Sequence, residues 1–139
     1  MTNENSILAG KKILIVEDDV FIGSILQGHM KEEGMNVDLL TTGEQIFEYF
    51  KKSIPDILIL DIFLPNINGL DLLDLMRKDP SVKNLPVLVV SNTDQIKDRE
   101  RAKSLGAEFL LKALATPANI TEKIKSMLLP CSAQVFSTF

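Results

Sequence analysis

Acidic residues in this sequence occupy positions from which they could bind a metal ion and act on a phosphoryl group. Glu17, Asp18 and Asp19 directly follow one apolar run, and Asp61 follows another. Carboxylates that share a pocket repel one another, so at neutral pH they need a cation or must take up protons. Oxygen ligands select hard ions, and Mg²⁺ accepts one or two carboxylates together with a substrate phosphate. The acids therefore predict a Mg²⁺ cofactor.

Asp61 beside such a metal could act as a nucleophile toward a phosphoryl group and form an aspartyl phosphate. Ser91 and Lys112 each follow a further apolar run, and their hydroxyl and ammonium groups could share the phosphoryl oxygens with Mg²⁺. Taken alone, Asp61 is equally well explained as a turn-capping residue, because aspartate is common where strands end. The sequence contains no glycine-rich nucleotide-binding motif and no Cys/His cluster for zinc, which disfavours both of those functions.

Five apolar runs provide the strands that must bring these side chains together. The clearest is the run 57–60, whose four apolar residues are bounded by Pro55-Asp56 before it and by Pro65 beyond Asp61. Such a run predicts a strand that is buried on both faces. The other four runs cover residues 12–16, 37–40, 86–90 and 107–111. Helical patterns alternate with them, which is typical of a parallel sheet covered by helices on both faces.

The predicted fold is therefore α/β, a doubly wound five-stranded parallel sheet in the order 2-1-3-4-5 with flavodoxin-like topology. In this order the first and third strands are neighbours, and the carboxyl ends of all five strands lie at one edge. We therefore expect the polar residues after the strands to converge in one pocket, and this convergence favours phosphoryl chemistry over turn capping. These residues are Glu17, Asp18, Asp61, Ser91 and Lys112.

Each helix is expected to bury one apolar face, and two helices have capping signals. The sequence Thr42-Gly43-Glu44-Gln45 predicts a capping box, and Thr116 with Pro117 predicts the start of the last helix. The residues expected to face the core are Phe21, Ile22, Ile25, Leu26 and Met30 in the first helix, Ile46, Phe47 and Phe50 in the second, Leu72, Leu73, Leu75 and Met76 in the third, Ile96, Ala102 and Leu105 around the fourth (94–104), and Ile120, Ile124, Met127 and Leu128 in the last.

Over residues 11–129 the chain resembles the receiver domain of two-component response regulators. The matching positions are the acid pair Glu17-Asp18, the pattern Asp-x-x-x-Pro-x-x-x-Gly at Asp61, Pro65 and Gly69, then Ser91, Phe109 and Lys112. The resemblance implies that Asp61 is the phosphoacceptor, assisted by Lys112 and Ser91, and that Ser91 and Phe109 are switch residues. It implies a Mg²⁺ site formed by Glu17, Asp18, Asp61 and the backbone carbonyl of Phe63.

The resemblance also implies partners. The phosphoryl group would come from the histidine of a sensor kinase or of a phosphotransfer protein, and a downstream protein would dock on the 94–104 helix, the fifth strand and the last helix. Such a domain is a switch with self-catalysed phosphorylation and dephosphorylation rather than an enzyme, and it is expected to be a monomer or a phosphorylation-dependent dimer.

One position departs from the family pattern, and a second lies where the family varies its control of dephosphorylation. The family usually has proline after the lysine, whereas Ala113 follows Lys112 here, so a trans peptide bond and a strained site both remain open. Phe63 lies two residues beyond Asp61, and we hypothesise that its ring shields a phosphoryl group from water. One alternative function is a Mg²⁺-dependent phosphohydrolase of the haloacid dehalogenase type, although Phe63 replaces its second aspartate. Another is a degenerate receiver that only binds proteins.

The remaining expectations concern the whole chain of 139 residues. We expect a flexible N-terminus (1–10), a receiver domain (11–129) that stands alone, and a C-terminal tail (130–139) with no output domain. The net charge of −4 and the scattered basic residues argue against direct binding of nucleic acid. No run is long and apolar enough to cross a bilayer, no signal peptide is evident, and a single cysteine, Cys131, forbids an internal disulfide. These features predict a cytoplasmic protein without a membrane partner.

Overall fold

A computed structural model describes residues 7–129, which contain five β-strands and five α-helices. Cys131 and the predicted tail 130–139 lie outside the described residues. The strands are β1 (Lys12–Val16), β2 (Asn36–Leu40), β3 (Ile57–Leu60), β4 (Val87–Ser91) and β5 (Glu108–Leu111). The helices are α1 (Val20–Glu32), α2 (Ile46–Lys52), α3 (Gly69–Arg77), α4 (Ile96–Ser104) and α5 (Pro117–Leu128). Short 3₁₀ turns cover Gly43–Gln45 and Lys112–Leu114.

All five strands are parallel, and their order is β2-β1-β3-β4-β5. The predicted fold class and strand order are therefore confirmed. The register pairs Val16 with Leu60 and Ser91 with Leu111. The residues that follow β1 and β3 are consequently level with each other at the carboxyl edge of the sheet, as are the residues around the ends of β4 and β5.

The three central strands are buried on both faces, which explains why their sequences are continuously apolar. Alternate side chains of each strand enter two separate cores. One core contains Leu58 and Leu60 and is covered by α2, α3 and α4, while the other contains Ile57 and Ile59 and is covered by α1 and α5. Leu8 is also fully buried in the second core, so part of the segment 1–10 packs against the sheet.

Some of the predicted helix faces are wrong. Phe21 and Ile25 of α1, Leu75 of α3 and Ile96 of α4 are all exposed, and the exposed fraction reaches 75% for Phe21 and 71% for Ile96. In α1 the stripe that faces the sheet is the partly buried Ile22 with the buried Leu26 and Met30, at a spacing of four residues. Phe21 and Ile25 form the neighbouring stripe about 100° away. Apolar periodicity located the helix, but it could not select which of two adjacent stripes faces the sheet.

The capping signals have different outcomes. Thr116 caps α5 by accepting a hydrogen bond from the Asn119 N–H at 3.1 Å, and Pro117 occupies the first turn, as predicted. The capping box at Thr42 is wrong, because the Thr42 side chain makes no capping hydrogen bond. The chain forms a 3₁₀ turn there and α2 begins at Ile46, so Gln45 is not the third residue of an α-helix. The Lys112–Ala113 peptide bond is trans.

None of the helices within residues 7–129 is long and apolar enough to cross a membrane.

Candidate functional site

Three carboxylates meet at the carboxyl edge of the sheet. Glu17 follows β1 and Asp61 follows β3, and the parallel pairing of these strands places the two side chains next to each other. Both are almost fully buried, whereas Asp18 is exposed. Carboxylate oxygens of Glu17, Asp18 and Asp61 lie within 4.8 Å of one another. Asp19 is different, because its carboxylate caps α1 by accepting the N–H groups of Phe21 and Ile22.

Lys112 projects into this cluster from the turn after β5. Its Nζ atom lies 3.0 Å from Asp61 Oδ2 and 3.2 Å from Glu17 Oε1, so one ammonium contacts both buried acids. The Lys112 side chain is 18% exposed, which leaves it reachable from the surface. Lys112 is 51 residues from Asp61 and 95 residues from Glu17 in the sequence. The fold brings all three side chains into contact, as the predicted strand order required.

The loop after Asp61 folds back over the strand end. The Phe63 N–H donates to Asp61 Oδ1 at 3.3 Å, and the Gly69 N–H donates to the Ile62 carbonyl at 2.7 Å. A Cβ atom on Gly69 would lie 2.0 Å from the Asp61 carbonyl oxygen, which is impossible without moving the backbone. The Asp-to-Gly spacing in the sequence therefore reflects a close approach of backbone to backbone directly behind Asp61.

Comparison with known proteins agrees with this arrangement. A family model described as the response regulator receiver domain matches residues 13–125. This chain belongs to the response regulator receiver domain family. The receiver is 30% identical over 128 residues to the phosphate regulon transcriptional regulatory protein PhoB of Rhizobium meliloti (strain 1021), covering 91% of this chain and 56% of that protein. It is 34% identical over 124 residues to the Regulator of RpoS of Escherichia coli (strain K12), covering 89% of this chain and 35% of that protein.

The fold of the receiver also matches solved structures. The chemotaxis response regulator CheY4 of Vibrio cholerae superposes with a TM-score of 0.79 at 21% identity, covering 86% of this chain and all of that one. At this identity the likeness concerns the fold. The receiver spans only about half, or less, of the length of the two curated relatives above. The family nevertheless places this chain among the signalling switches of two-component systems.

Burial sets the electrostatics of the receiver's acidic pocket. Desolvation of Glu17, with a further contribution from the Asp61 charge, raises the pKa of Glu17 above its ordinary value of 4.5 although Lys112 acts in the opposite direction. Burial alone would lower the pKa of Lys112, but its hydrogen bond to Asp61 and the charges of both acids outweigh burial and raise that pKa. A cavity of about 210 Å³ borders Glu17, Asp61 and Lys112, and the other residues that line it are apolar.

The raised pKa of Glu17 predicts a pH-dependent effect of removing its charge. The folded protein binds a proton at Glu17 more tightly than the unfolded chain does, so the stability that this proton provides is present below pH 4.5 and is lost as pH rises through the raised pKa. Glu17→Gln does not titrate there. In a buffer with a chelator, the Tm of Glu17→Gln minus that of the wild type should therefore increase from pH 4 to neutral pH. Thermal unfolding at each pH measures this Tm difference, and Glu44→Gln, at an exposed position, is the control. A Tm difference that falls as pH rises would contradict the raised pKa of Glu17.

The donor set of the pocket fits a divalent cation. Three carboxylates face one ammonium in this part of the described chain, which leaves two negative charges without a counterion. All the side-chain ligand atoms are oxygens, the type that Mg²⁺ prefers. Receiver domains bind Mg²⁺ at an acidic pocket of this kind, and the close spacing of Glu17, Asp18 and Asp61 matches it.

The other expected site residues lie on β4, on β5 and in the loop after Asp61. Ser91 is fully buried at the end of β4, where its Oγ accepts the Thr93 N–H at 3.4 Å. Phe109 is partly buried against the core under α2, α3 and α4, with the Arg99 guanidinium 5.3 Å from its ring centroid. Phe63 is 56% exposed. No signal in the sequence marks Thr93 or Arg99, because neither residue stands out until the fold shows its neighbours.

Proposed function

We propose that Asp61 accepts a phosphoryl group from the histidine of a sensor kinase or of a phosphotransfer protein, and that the added charge changes which proteins bind this chain. The observation that supports this best is the contact of Lys112 with Asp61 and Glu17 beside a third carboxylate. A pocket with two excess negative charges and one reachable ammonium is suited to a metal ion and an incoming phosphoryl group. A receiver that only bound proteins would have no need of this costly cluster.

In the proposed reaction an Asp61 carboxylate oxygen attacks phosphorus. The new O–P bond forms as the N–P bond to the donor histidine breaks, and the electron pair of that bond returns to the imidazole. Glu17, Asp18, Asp61 and the Phe63 carbonyl would hold Mg²⁺, which when bound supplies positive charge to the phosphoryl oxygens. Lys112 is placed to neutralise charge on the same group, because it already contacts Asp61 Oδ2.

Switching would follow from the new charge. A phosphoryl group adds close to two negative charges and three acceptor oxygens at Asp61. The Ser91 hydroxyl, at the end of the next strand, would reorient toward these oxygens, and Phe109 on the neighbouring β5 would turn inward. The face formed by α4, β5 and α5 is then the proposed output surface, because both switch residues adjoin it.

The direct test is uptake of a phosphoryl group from acetyl phosphate with Mg²⁺. Intact-mass measurement should show that the wild type gains one phosphoryl group, and that Asp61→Asn and a chelator both prevent the gain. Asp56→Asn is the matched control, since Asp56 is an exposed aspartate at the opposite end of the same strand. A wild type that stays folded and binds Mg²⁺ but never gains mass would overturn the proposal and favour a receiver that acts only as an interaction module.

Phe63 is proposed to slow hydrolysis of the aspartyl phosphate. Its ring is exposed beside an otherwise acidic site while its backbone N–H contacts Asp61, so the ring can cover a phosphoryl group there. Phe63→Asn removes the ring and adds a side chain that can hydrogen-bond water, so we expect a phosphoryl lifetime several-fold shorter. Intact mass followed over time after removal of acetyl phosphate measures the lifetime, and an unchanged lifetime would refute the shielding.

A further inference from the structure

A chain of contacts connects Ser91 to Phe109 through the first turn of α4. The Thr93 N–H donates to Ser91 Oγ at 3.4 Å, and the Thr93 hydroxyl donates to Asp98 Oδ2 at 3.1 Å. Arg99, the next residue, places its guanidinium 5.3 Å from the centroid of the Phe109 ring. Two adjacent residues of one helix therefore contact the two segments that carry the expected switch residues.

The first turn of α4 is held by few other contacts. Of the nine described residues in α4, Ala102 is buried, and it lies in the second half of the helix. Gln95 at the N-cap position makes no side-chain capping bond, and Thr93 Oγ1 instead accepts the Gln95 N–H at 3.2 Å. Thr93, itself buried, thus fixes the start of α4 through both Gln95 and Asp98. A helix end with so little apolar burial can be displaced by the loss of one or two hydrogen bonds.

Arg99 is one of the contacts of the Phe109 ring. The ring packs against the core but is only partly buried, and the Arg99 guanidinium lies within the distance at which a cation attracts an aromatic ring. Movement of the first α4 turn would carry Arg99 away from the ring. The ring would then be free to take another rotamer.

We propose that Asp98 and Arg99 are positioning residues that hold Phe109 in the arrangement of the unphosphorylated receiver. This inference rests on the proposed function, because reorientation of the Ser91 hydroxyl toward a phosphoryl group on Asp61 is what would take the acceptor away from the Thr93 N–H. Loss of that bond loosens Thr93 from Asp98, the first turn of α4 moves, and Arg99 releases the ring. Removing the Asp98 carboxylate should produce the last two of these changes, movement of the first α4 turn and release of the ring, without a phosphoryl group.

A tryptophan at position 109 can report on the ring, because the chain contains no natural tryptophan. In the Phe109→Trp background, acetyl phosphate with Mg²⁺ is expected to shift the emission maximum. Asp98→Ala should shift it in the same direction without any phosphoryl donor, and Arg99→Ala should do the same. Because Asp98→Ala populates the switched arrangement beforehand, its phosphoryl uptake should be roughly two- to tenfold faster than that of the reporter protein.

Two further variants separate this role from general loosening of the helix. Asp98→Asn keeps an acceptor for the Thr93 hydroxyl, so it should retain most of the emission of the reporter protein. Glu100→Ala removes an exposed charge from the same helix and should leave emission and uptake unchanged. If Asp98→Ala leaves the emission unchanged while acetyl phosphate still shifts it, the inference is overturned and the proposed function stands. If the wild type gains no phosphoryl mass, the proposed function fails, and the donor-free emission of Asp98→Ala still decides whether Asp98 positions the ring.

Discussion

Gly69→Ala is expected to lower the free energy of unfolding by about 3 kcal/mol or more. The added methyl group would lie 2.0 Å from the carbonyl oxygen of Asp61 and 2.9 Å from the Ile62 Cα. Both neighbours are backbone atoms, so no side-chain rotation can relieve the overlap. The Gly69 N–H bond to the Ile62 carbonyl at 2.7 Å also resists any separation of the two segments. Denaturant unfolding measures the loss.

Gly28→Ala is the matched control for this substitution. Gly28 lies within α1, and a Cβ atom there would have no heavy atom within 4 Å, so alanine should add helix propensity at no steric cost. We expect it to raise stability by about 0.5–1 kcal/mol. If Gly69→Ala were as stable as the wild type, the β3–α3 loop would not approach Asp61 as closely as described, and the explanation of the glycine would be wrong.

Lys112→Met is expected to slow phosphoryl uptake from acetyl phosphate by about 10²–10³-fold, the usual effect of removing one charge that stabilises a transferring group. The ammonium is the cation that contacts both Asp61 and Glu17 in the described residues, and methionine keeps the length of the side chain without the charge. The initial rate of mass gain at saturating Mg²⁺ measures the effect.

Lys112→Arg and Lys83→Met complete this experiment. Arginine keeps the charge but replaces a compact ammonium with a planar fork, so its rate should fall between those of the wild type and Lys112→Met. Lys83 is exposed in the loop before β4, at the opposite edge of the sheet, and its replacement should leave uptake unchanged. A Lys112→Met protein that reacts at the rate of the wild type would show that this lysine takes no part in phosphoryl transfer.

The sequence was sufficient to predict the sheet and the pocket because both follow from the same strands. A strand buried on both faces must be apolar throughout, so Ile57–Leu60 was recognisable without knowledge of its neighbours. Parallel order then required the residues after the strands to share one edge, which brought Lys112 to Asp61 although 51 residues separate them. The residue types predicted which reaction the site could support, and the strand order predicted which residues would lie close together.

Features that depend on how the elements pack against one another were not predictable in this way. Phe21 and Ile96 look like core residues because they are apolar and periodic, yet both face outward, since propensity and period do not identify the stripe that meets the sheet. The close packing of Gly69 against Asp61 and the contact of the Arg99 guanidinium with the Phe109 ring are properties of tertiary structure alone. Thr93 was likewise one polar residue among several in a loop until its partner Asp98 was known.

The central claim is that Asp61 is the residue that carries the phosphoryl group, and trapping the acyl phosphate tests it most directly. Borohydride reduces an aspartyl phosphate to homoserine, so protein treated with Mg²⁺ and acetyl phosphate, then reduced and digested, reveals the modified position by mass spectrometry. We predict homoserine at position 61 and unmodified aspartate at positions 18 and 19. Homoserine at another carboxylate, with Asp61 intact, would contradict the account.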